Sequence, residues 1–353
     1  MQAESIEFNF LSFFSIIAFF ITLVTHKFSN KIGNGILLDQ DFDKPQAFHK
    51  EPIARSGGIA SMISLIVFIS IYYFLFGKMW NDYLFLPFSL FVIGFFEDIK
   101  LRTNPNIRLI LMIIVLIIST VFLSINIDNM EVPILKTWMQ NRVFETIFIL
   151  LCFLFIINGA NLIDGFNGLL AIHLIIINFV LLLINIGNDN TELALVLAGQ
   201  IAILFSFLLF NFPNAKVFLG DSGSYLFGSL IVLNIIETNN LNPEISSFFF
   251  CILLFYLFFE VFFSFFRKLY LKRSPMNPDQ NHLHMLLFNY LEKWKNFKNA
   301  NYLNSLIINI VYLSLILPSV YFRFDGLICR YWFFFLLALY ILLYFRLYSF
   351  AKK

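Results

Sequence analysis

The sequence predicts an all-α integral membrane protein, a polytopic bundle of about eleven transmembrane helices. The 353 residues are 59% hydrophobic and only 13% charged, and the mean hydropathy of +0.81 lies far above that of soluble domains. The apolar runs are continuous and do not alternate with polar residues, which favours helices over a membrane barrel. We therefore expect one integral-membrane domain over residues 1–353, without a separate soluble domain.

Eleven apolar windows account for the predicted spans. A bilayer core of about 30 Å needs about 20 apolar residues per helix, and the third and eighth windows fall short of that length. The windows are roughly 8–26, 57–76, 80–96, 107–126, 143–158, 167–187, 192–212, 222–237, 246–268, 302–322 and 327–350.

Lys and Arg are distributed unevenly between the two sides that eleven alternating spans create. One side, which includes the C-terminus and the loops 27–56 and 269–301, holds 19 of the 24 Lys and Arg residues. Because positively charged loops stay in the cytoplasm, we expect the N-terminus outside and the C-terminus in the cytoplasm. The prediction is a multi-pass protein of the inner (plasma) membrane whose cytoplasmic face attracts anionic headgroups and phosphorylated ligands.

Five short polar clusters carry nearly all of the candidate chemistry, and all five fall on the predicted cytoplasmic side. Because hydrocarbon does not support polar chemistry, their carboxylates, amides and histidines are the expected working groups. Polar groups gathered at one face argue for an enzyme at a membrane surface rather than a pore through it. The clusters are HKEPIARSGG at 49–58, EDIKLRTNPNIR at 97–108, NGANLIDGFNGL at 158–169, NFPNAKVFLGDSGS at 211–224 and SPMNPDQNHLHM at 274–285.

The second cluster begins with adjacent carboxylates, Glu97 and Asp98, at the end of the third predicted helix. Neighbouring carboxylates repel each other unless a cation or a proton intervenes, although ordinary interfacial charge beside Lys100 is an equally good interpretation. Arg108 begins the next helix on the same face, either as a snorkelling anchor or as a phosphate clamp.

The third cluster is harder to explain as a plain turn. Three Asn, one Asp and three Gly at 158–169 interrupt two apolar helices without any Lys or Arg. Polar backbone at membrane depth persists only where protein buries it or a wet cavity hydrates it, and glycine lets the chain approach a ligand closely. We therefore expect this segment to line a ligand site.

The fourth cluster combines a possible helix cap with possible ligand contacts. The eighth predicted helix can be capped by Asp221, Ser222 or Ser224, and the same geometry aims backbone N–H groups at an anion. Asp221 could also hold a hard divalent cation. Lys216 could neutralise a phosphate, and Phe218 could stack on a base.

His282 and His284 form a pair in the fifth cluster, after a basic stretch that reads as a positive-inside anchor. Near Asp279, such a pair could bind metal, bind phosphate or carry a proton. His173 and Glu260 are ionisable residues inside predicted spans, where a structural polar contact is a simpler interpretation than catalysis. The three cysteines show no metal or redox spacing: Cys152, Cys251 and Cys329.

Taken in order, the motifs HxxPIxRxGG, (E)D at a helix end, NxxNxxDGxxGL, AKVFLGDSGS and SPxxPDxxHLH resemble the polyprenyl-phosphate N-acetylhexosamine-1-phosphate transferase family. The HLH element makes the sequence more similar to the UDP-GlcNAc:undecaprenyl-phosphate GlcNAc-1-phosphate transferase branch than to the muramoyl-pentapeptide branch. The resemblance covers about residues 38–285.

This resemblance implies an enzyme that transfers a sugar-1-phosphate from a UDP-sugar to undecaprenyl phosphate and releases UMP. The expected role is the first membrane step of a cell-envelope polysaccharide such as the O-antigen of lipopolysaccharide. One phosphoanhydride replaces another, so catalysis is mainly positioning and charge neutralisation. The resemblance further implies Mg²⁺, with Mn²⁺ as an alternative, and allows a homodimer. No nucleic-acid partner is expected.

The resemblance also implies roles for individual residues. Asp221 would be the main Mg²⁺ ligand and Asn161 a second one, while Phe218 and Asn167 would hold uracil. The implied catalytic residues are Glu97, Asp98, Asp164, Asp221, His282 and His284. The implied substrate-binding residues, for the nucleotide, phosphates or sugar, are Arg55, Arg108, Asn158, Asn161, Asn167, Lys216 and Phe218.

Three positions depart from the family pattern. Glu97 stands where the family usually has the first of two Asp that deprotonate or orient the lipid phosphate. Its extra methylene moves the carboxylate by roughly one bond length, and a displacement of about 1 Å can lower the rate about 100-fold. Asn167 replaces the second Asp of DGxDG, although an amide can still pair with uracil, and Met285 replaces the third His of HLHH. An altered donor sugar or lost activity would follow.

Two other interpretations fit part of the pattern. A secondary transporter also has broken helices and loop carboxylates, but it would carry polar groups near the membrane midplane. A catalytically inactive relative that binds polyprenyl phosphate without turnover would explain the departures at Glu97 and Met285.

Overall fold

The computed structural model of the chain describes residues 2–29, 31, 35–39, 52–101, 104–275, 277, 279–295 and 299–351. Within them the chain is a bundle of helices with one two-stranded hairpin, which confirms the all-α membrane class. His49 and Lys50, in the first polar cluster, lie outside the described residues.

The helices follow the apolar windows closely, with two short additions, α5 and α12, in predicted loops. In chain order the elements are α1 (Gln2–Ser29), β1 (Leu38–Asp39), β2 (Ile53–Ala54), α2 (Gly57–Phe76), α3 (Asn81–Asp98), α4 (Pro105–Phe122), α5 (Pro133–Met139), α6 (Arg142–Ile163), α7 (Leu169–Gly187), α8 (Thr191–Asn211), α9 (Gly220–Leu241), α10 (Ser247–Leu253), α11 (Phe255–Tyr270), α12 (Leu283–Lys295), α13 (Ala300–Tyr321) and α14 (Gly326–Ala351).

Eight helices of the described chain are long and apolar enough to cross a membrane, and the bent pair α10–α11 adds a ninth span if it is counted as one. The chain is therefore an integral membrane protein. Helix α3 is not among these candidate spans and carries three acidic residues, Asp82, Glu97 and Asp98. Helix α9 is enclosed by its neighbours, chiefly α2, α3, α6 and α7. Helix–helix contacts in membranes favour Gly, Ser and Asn over large apolar residues. The total of eleven spans and the orientation stay predictions.

The ninth window, 246–268, is not the single helix that its apolar run predicts. Helices α10 and α11 meet at Leu254 with a bend of 74°. At the break, the Leu253 carbonyl accepts a hydrogen bond of 2.6 Å from the Tyr312 hydroxyl of α13. Such a contact satisfies backbone at membrane depth. No Gly or Pro occurs between 247 and 270, so the sequence carries no local signal for the break.

Polar groups also occur inside the bundle, not at one face alone as the sequence predicts. Gln200 Nε2 donates to Asn234 Oδ1 at 3.1 Å, and Asn234 Nδ2 donates to Asn178 Oδ1 at 2.9 Å, all three residues being fully buried. His173 Nδ1 lies 3.2 Å from Asn309 Oδ1. Hydrogen bonds of this kind join neighbouring helices within membranes. They tie α7 to α8, α9 and α13.

The orientation of the bundle can be tested by cysteine labelling from outside intact cells. In a variant without the three native cysteines, Asn188→Cys in the α7–α8 connection should react with an impermeant maleimide. Arg273→Cys, in the loop after α11, should react only after permeabilisation, because 19 of the 24 Lys and Arg residues predict that side to be cytoplasmic. Reaction of Arg273→Cys in intact cells would reverse the predicted topology.

Candidate active site

The N-terminus of α9 is capped by a carboxylate from another helix. Asp98, the buried last residue of α3, accepts hydrogen bonds from the backbone N–H groups of Asp221 at 3.0 Å and Ser222 at 2.9 Å. A carboxylate here satisfies unpaired N–H groups and interacts favourably with the helix dipole. The prediction that Asp221, Ser222 or Ser224 caps its own helix is wrong, since the N-cap residue, Leu219, makes no side-chain cap. The two N–H groups expected to face a ligand anion are occupied by Asp98.

Two glycines bring the neighbouring helices against this helix end. A Cβ atom at Gly94 of α3 would lie 2.5 Å from the Asp221 carbonyl oxygen. A Cβ atom at Gly58 of α2 would lie 2.5 Å from the Gly223 nitrogen. Because backbone atoms cannot move aside as a flexible side chain can, only glycine permits these approaches.

Asp221 is held between side chains from α4 and α6. Its Oδ2 lies 3.1 Å from Arg108 Nη1, and its Oδ1 accepts from Asn161 Nδ2 at 3.0 Å. Asn161 Nδ2 also donates to Ser224 Oγ at 3.0 Å. Arg108 Nη1 is 3.8 Å from Glu97 Oε2 as well. Four helices, α3, α4, α6 and α9, therefore present their polar ends to one another.

Asp164 adds a further carboxylate from the connection between α6 and α7. The residue keeps some solvent contact, but its carboxyl group is crowded by the surrounding helix ends. Burial raises the pKa of Asp164 well above its usual range, and the charges of Asp221 and Asp98 raise it further. The backbone N–H of Gly220 acts in the opposite direction. A nearby cation would favour the ionised form of this carboxyl.

Arg55 reaches the same carboxylates from the β-hairpin. Its Nε and Nη2 atoms lie 3.1 and 2.7 Å from Asp39 Oδ2, and its Nη1 lies 3.6 Å from Asp98 Oδ1. The segment before α2 is fastened to the fourth cluster by backbone hydrogen bonds. Gly57 N donates to Phe218 O at 2.9 Å, and Phe218 N donates to Ala54 O at 2.9 Å.

Asn167 is oriented by partners from two other segments. Its backbone N–H donates to Asn301 Oδ1 of α13 at 2.8 Å, and its Nδ2 donates to the Pro213 carbonyl at 2.9 Å. The amide oxygen is thereby presented as an acceptor. On the same segment as Pro213, Lys216 is exposed and Phe218 is half-buried.

Asn211 is a site residue to which the sequence reasoning gave no role. Its Oδ1 accepts from Gly168 N at 2.6 Å, and its Nδ2 donates to Val217 O at 2.8 Å, so it bridges the third and fourth clusters. A polar residue at a helix end just before Phe212 and Pro213 was the available signal.

Asn158 makes no described hydrogen bond to the carboxylates of the site. The interruption between α6 and α7 also begins later in the chain than the sequence predicts. Helix α6 continues to Ile163, so Asn158 and Asn161 belong to the helix and only 164–168 interrupt it. Asn158 Nδ2 donates to the Leu154 carbonyl of its own helix at 2.7 Å. Gly159 allows contact with α11, because a Cβ there would lie 2.2 Å from the Leu257 carbonyl oxygen.

The histidine pair is built around Glu260, a buried carboxylate of α11. His282 Nδ1 lies 3.2 Å from Glu260 Oε2, and the Leu283 N–H donates to Glu260 Oε1 at 3.1 Å. His282 Nε2 lies 3.3 Å from Asp279 Oδ1. Arg267 pairs with Asp279 through two contacts of 2.8 and 3.2 Å. Both ring nitrogens of His282 thus face carboxylates rather than an open site.

His284 is fully buried beside Tyr256, whose hydroxyl lies 3.4 Å from its Nδ1. Burial and the charge of His282 lower the pKa of His284 to about 4, against the opposing effect of the Glu260 carboxylate. His284 is therefore neutral at pH 7. Its ring packs on Phe166 at 5.7 Å. Among the described contacts, this aromatic pair is what joins the histidines to the loop that carries Asp164.

The sequence that forms this site is similar to known proteins. Residues 80–239, from the start of α3 to the end of α9, match the model of Glycosyl transferase family 4. The matched segment contains the polar ends of α3, α4, α6 and α9. Over this segment the chain is similar to members of that family.

Several curated transferases are similar to this chain. The undecaprenyl-phosphate alpha-N-acetylglucosaminyl 1-phosphate transferase of Thermotoga maritima is 26% identical over 80% of this chain and 82% of its own length. A probable undecaprenyl-phosphate N-acetylglucosaminyl 1-phosphate transferase of Bacillus subtilis is 25% identical over 75% and 72%. The phospho-N-acetylmuramoyl-pentapeptide-transferase of Dictyoglomus turgidum is 29% identical over 65% and 76%. The similar proteins thus include both the GlcNAc-1-phosphate transferase branch and the muramoyl-pentapeptide branch.

The contact of α3 with α9 should be intolerant of a single methyl group. We expect Gly94→Ala to destabilise the protein by about 1–3 kcal/mol, the usual range for overpacking, because its Cβ meets backbone at 2.5 Å. Thermal unfolding in detergent measures the effect. Gly187→Ala is the matched control, since its Cβ meets nothing within 4 Å. Equal melting temperatures for the two variants would contradict a close α3–α9 contact.

Glu260 and His282 should be energetically coupled. Leaving a buried hydrogen-bonding group without its partner costs about 1–3 kcal/mol, so Glu260→Gln and His282→Gln should each lower the unfolding temperature. The double variant should be less destabilised than the sum, with a coupling of about 0.5–3 kcal/mol. Additive effects in this double-mutant cycle would show that the 3.2 Å contact contributes nothing.

Proposed function

We propose that the chain transfers an N-acetylhexosamine-1-phosphate, in the simplest case GlcNAc-1-phosphate, from a UDP-sugar to undecaprenyl phosphate. The observation that carries the proposal is the meeting of Asp98, Asp164 and Asp221 with Arg108 at the N-terminus of α9. Such an arrangement suits a reaction between two phosphates, where catalysis consists mainly of positioning and charge neutralisation. The names of the relatives in both branches agree with it.

The donor nucleotide is assigned to the loops around Asn167. With its Nδ2 given to the Pro213 carbonyl, the side-chain oxygen of Asn167 is left to accept a hydrogen bond. The N3–H of uracil is a donor of the matching kind, whereas N3 of cytosine is an acceptor. An Asn can therefore do here what an Asp would do. Phe218 would stack on the base, and the exposed Lys216 would neutralise the diphosphate.

The transfer itself needs little covalent chemistry from the protein. An oxygen of the lipid phosphate attacks the β-phosphorus of the UDP-sugar, and the bond to UMP breaks with its electron pair. Glu97, half-buried beside Arg108, orients or deprotonates the lipid phosphate. Arg108 and Arg55 oppose the charge repulsion between the two phosphates. Asp98, held by two N–H groups of α9, positions this helix end.

The residues present suit a hard divalent cation. Four carboxyl groups, Glu97, Asp98, Asp164 and Asp221, face two guanidinium groups. A bound cation would stabilise the ionised form of Asp164, whose pKa is raised by burial and by the charges of Asp221 and Asp98. No ready-made group of three or more His, Cys, Asp or Glu occurs among the described residues. Asp221 and Asp164 are the proposed ligands, with the amide oxygen of Asn161 as a further one. Mg²⁺ bound there would supply neutralisation of the transferring phosphates.

The polar groups that the mechanism uses are proposed to face the cytoplasm, where nucleotide sugars are made. A catalytically inactive relative is the second candidate, favoured by Glu97 and by Met285. Met285 is fully buried in the apolar core, so this position contributes no imidazole to the site.

One assay tests the reaction directly. The purified full chain in detergent is incubated with undecaprenyl phosphate, Mg²⁺ and a panel of UDP-N-acetylhexosamines, and UMP release is measured. We expect UMP only when lipid phosphate and a suitable donor are both present. Saturable binding of the lipid phosphate without UMP release would favour the inactive relative.

Asp221→Asn should abolish turnover while leaving the fold intact. The substitution keeps the shape of the side chain and removes the charge that pairs with Arg108 at 3.1 Å. UMP release measures the loss, and an unchanged melting temperature shows that the protein is folded. Full activity with Mg²⁺ present would exclude Asp221 as a metal ligand.

Glu97 is the least typical residue of the site, and two substitutions separate its possible roles. If its carboxylate orients or deprotonates the lipid phosphate, Glu97→Gln should lower UMP release at least about 100-fold. Glu97→Asp should keep measurable activity, because it retains the charge. Near-normal rates for Glu97→Gln would leave the acid–base role to Asp98.

A further inference from the structure

Helices α11, α12, α13 and α14 surround an apolar cavity of about 390 Å³ that is partly open. Most of its lining belongs to α13 and α14, which lie beyond the segment matched by the family model. Leu, Ile, Val and Phe side chains form much of the wall, and Arg346 is its only charged lining residue. The cavity is separate from the carboxylate cluster and takes no part in the proposed reaction.

Four tyrosines line the wall, and two of them have hydroxyl groups that contact other parts of the protein. The Tyr312 hydroxyl is bonded to the Leu253 carbonyl at 2.6 Å, and the Tyr256 hydroxyl lies 3.4 Å from His284 Nδ1. Tyr312 and Tyr256 therefore contribute mainly the apolar surfaces of their rings, and the Tyr340 hydroxyl is the one buried tyrosine hydroxyl in the described lining without a hydrogen-bond partner. An apolar space with few polar partners holds water poorly, which favours a hydrocarbon occupant.

Arg346 places a positive charge in the lining of the cavity, where it can contact the headgroup of a bound lipid. It is exposed on α14, five residues before the last residue of that helix, Ala351. No carboxylate among the described residues pairs with it. A guanidinium group binds phosphate through parallel hydrogen bonds, and basic residues at the membrane surface attract anionic headgroups. The cavity therefore combines a hydrocarbon-lined space with a phosphate-binding group near one helix end.

We propose that this cavity binds one acyl chain of an anionic membrane phospholipid, with the lipid phosphate against Arg346. The acceptor lipid of the proposed reaction is a poorer occupant. Helix α14 packs mainly on α10, α11, α12 and α13, whereas the carboxylate cluster is built from α3, α4, α6 and α9. A phosphate bound at Arg346 is thus held away from the reacting groups.

The bound chain also touches the histidine loop. Leu283, which lies between His282 and His284, and Tyr256, which contacts His284, both line the cavity. An acyl chain in the cavity packs against this loop. Without it, the loop residues that line the cavity would lack packing partners on that side. The lipid is therefore a structural ligand of α11–α14.

Photo-crosslinking tests the site without measuring transferase activity, so its outcome is independent of the proposed function. The purified full chain is placed in phosphatidylcholine vesicles doped with phosphatidylglycerol that carries a photoreactive acyl chain. Mass spectrometry should find labelled peptides from α13 and α14, including the region of Leu339. Leu339→Trp, which fills the cavity, should remove this labelling, while size-exclusion chromatography shows a folded protein.

Charge variants test the phosphate contact. Arg346→Gln should reduce labelling by phosphatidylglycerol roughly fivefold, the effect of one basic residue near an anionic headgroup. Arg273→Gln, an exposed arginine that does not line the cavity, is the control and should label like the unmodified chain. Equal labelling by photoreactive phosphatidylcholine, or no effect of Arg346→Gln, would overturn the proposal. Displacement by equimolar undecaprenyl phosphate would assign the cavity to the acceptor and overturn it as well.

Discussion

The carboxylate of Asp98 on the N-terminus of α9 is the contact on which the site depends. It joins the end of α3 to the start of the most enclosed helix through two backbone hydrogen bonds of 3.0 and 2.9 Å. Because the contact is to backbone, it fixes the position and direction of α9 and with them the direction of Asp221. Gly94 and Gly58 are required by the same contact, since any larger residue would push α3 or α2 away from α9.

Capping one helix with a carboxylate from another has an electrostatic consequence. It brings a negative charge to a place where Asp164 and Asp221 also converge, and burial raises the pKa of Asp164 well above its usual range. Arg55 and Arg108 offset only part of this charge. A cation bound there would favour the ionised carboxylates, so the arrangement is compatible with the phosphate chemistry proposed for it.

The sequence predicts those parts of the structure that depend on local composition. Apolar windows located the helices, and the motifs brought Asp98, Asn161 and Asp221 into one site, because helix ends on one membrane face must lie near one another. The sequence does not reveal which helix end caps which, since that choice depends on packing between distant segments. The sequence also does not predict the break at Leu254 or the partners of Glu260. Both depend on tertiary contacts, the first with α13 and the second with the histidine loop.

The loop between α6 and α7 connects the two polar clusters mechanically. Asp164 lies with the carboxylates, and two residues later Phe166 packs on His284 at 5.7 Å and on Phe288 at 5.2 Å. Asn211 fixes the end of the same loop through Gly168. Three residues, Asp164 to Phe166, therefore connect a carboxyl group of the site to a ring that packs against His284. If a cation binds Asp164 as proposed, a shift of this residue toward it would move Phe166 or strain the loop, which would couple cation binding to the packing of α12.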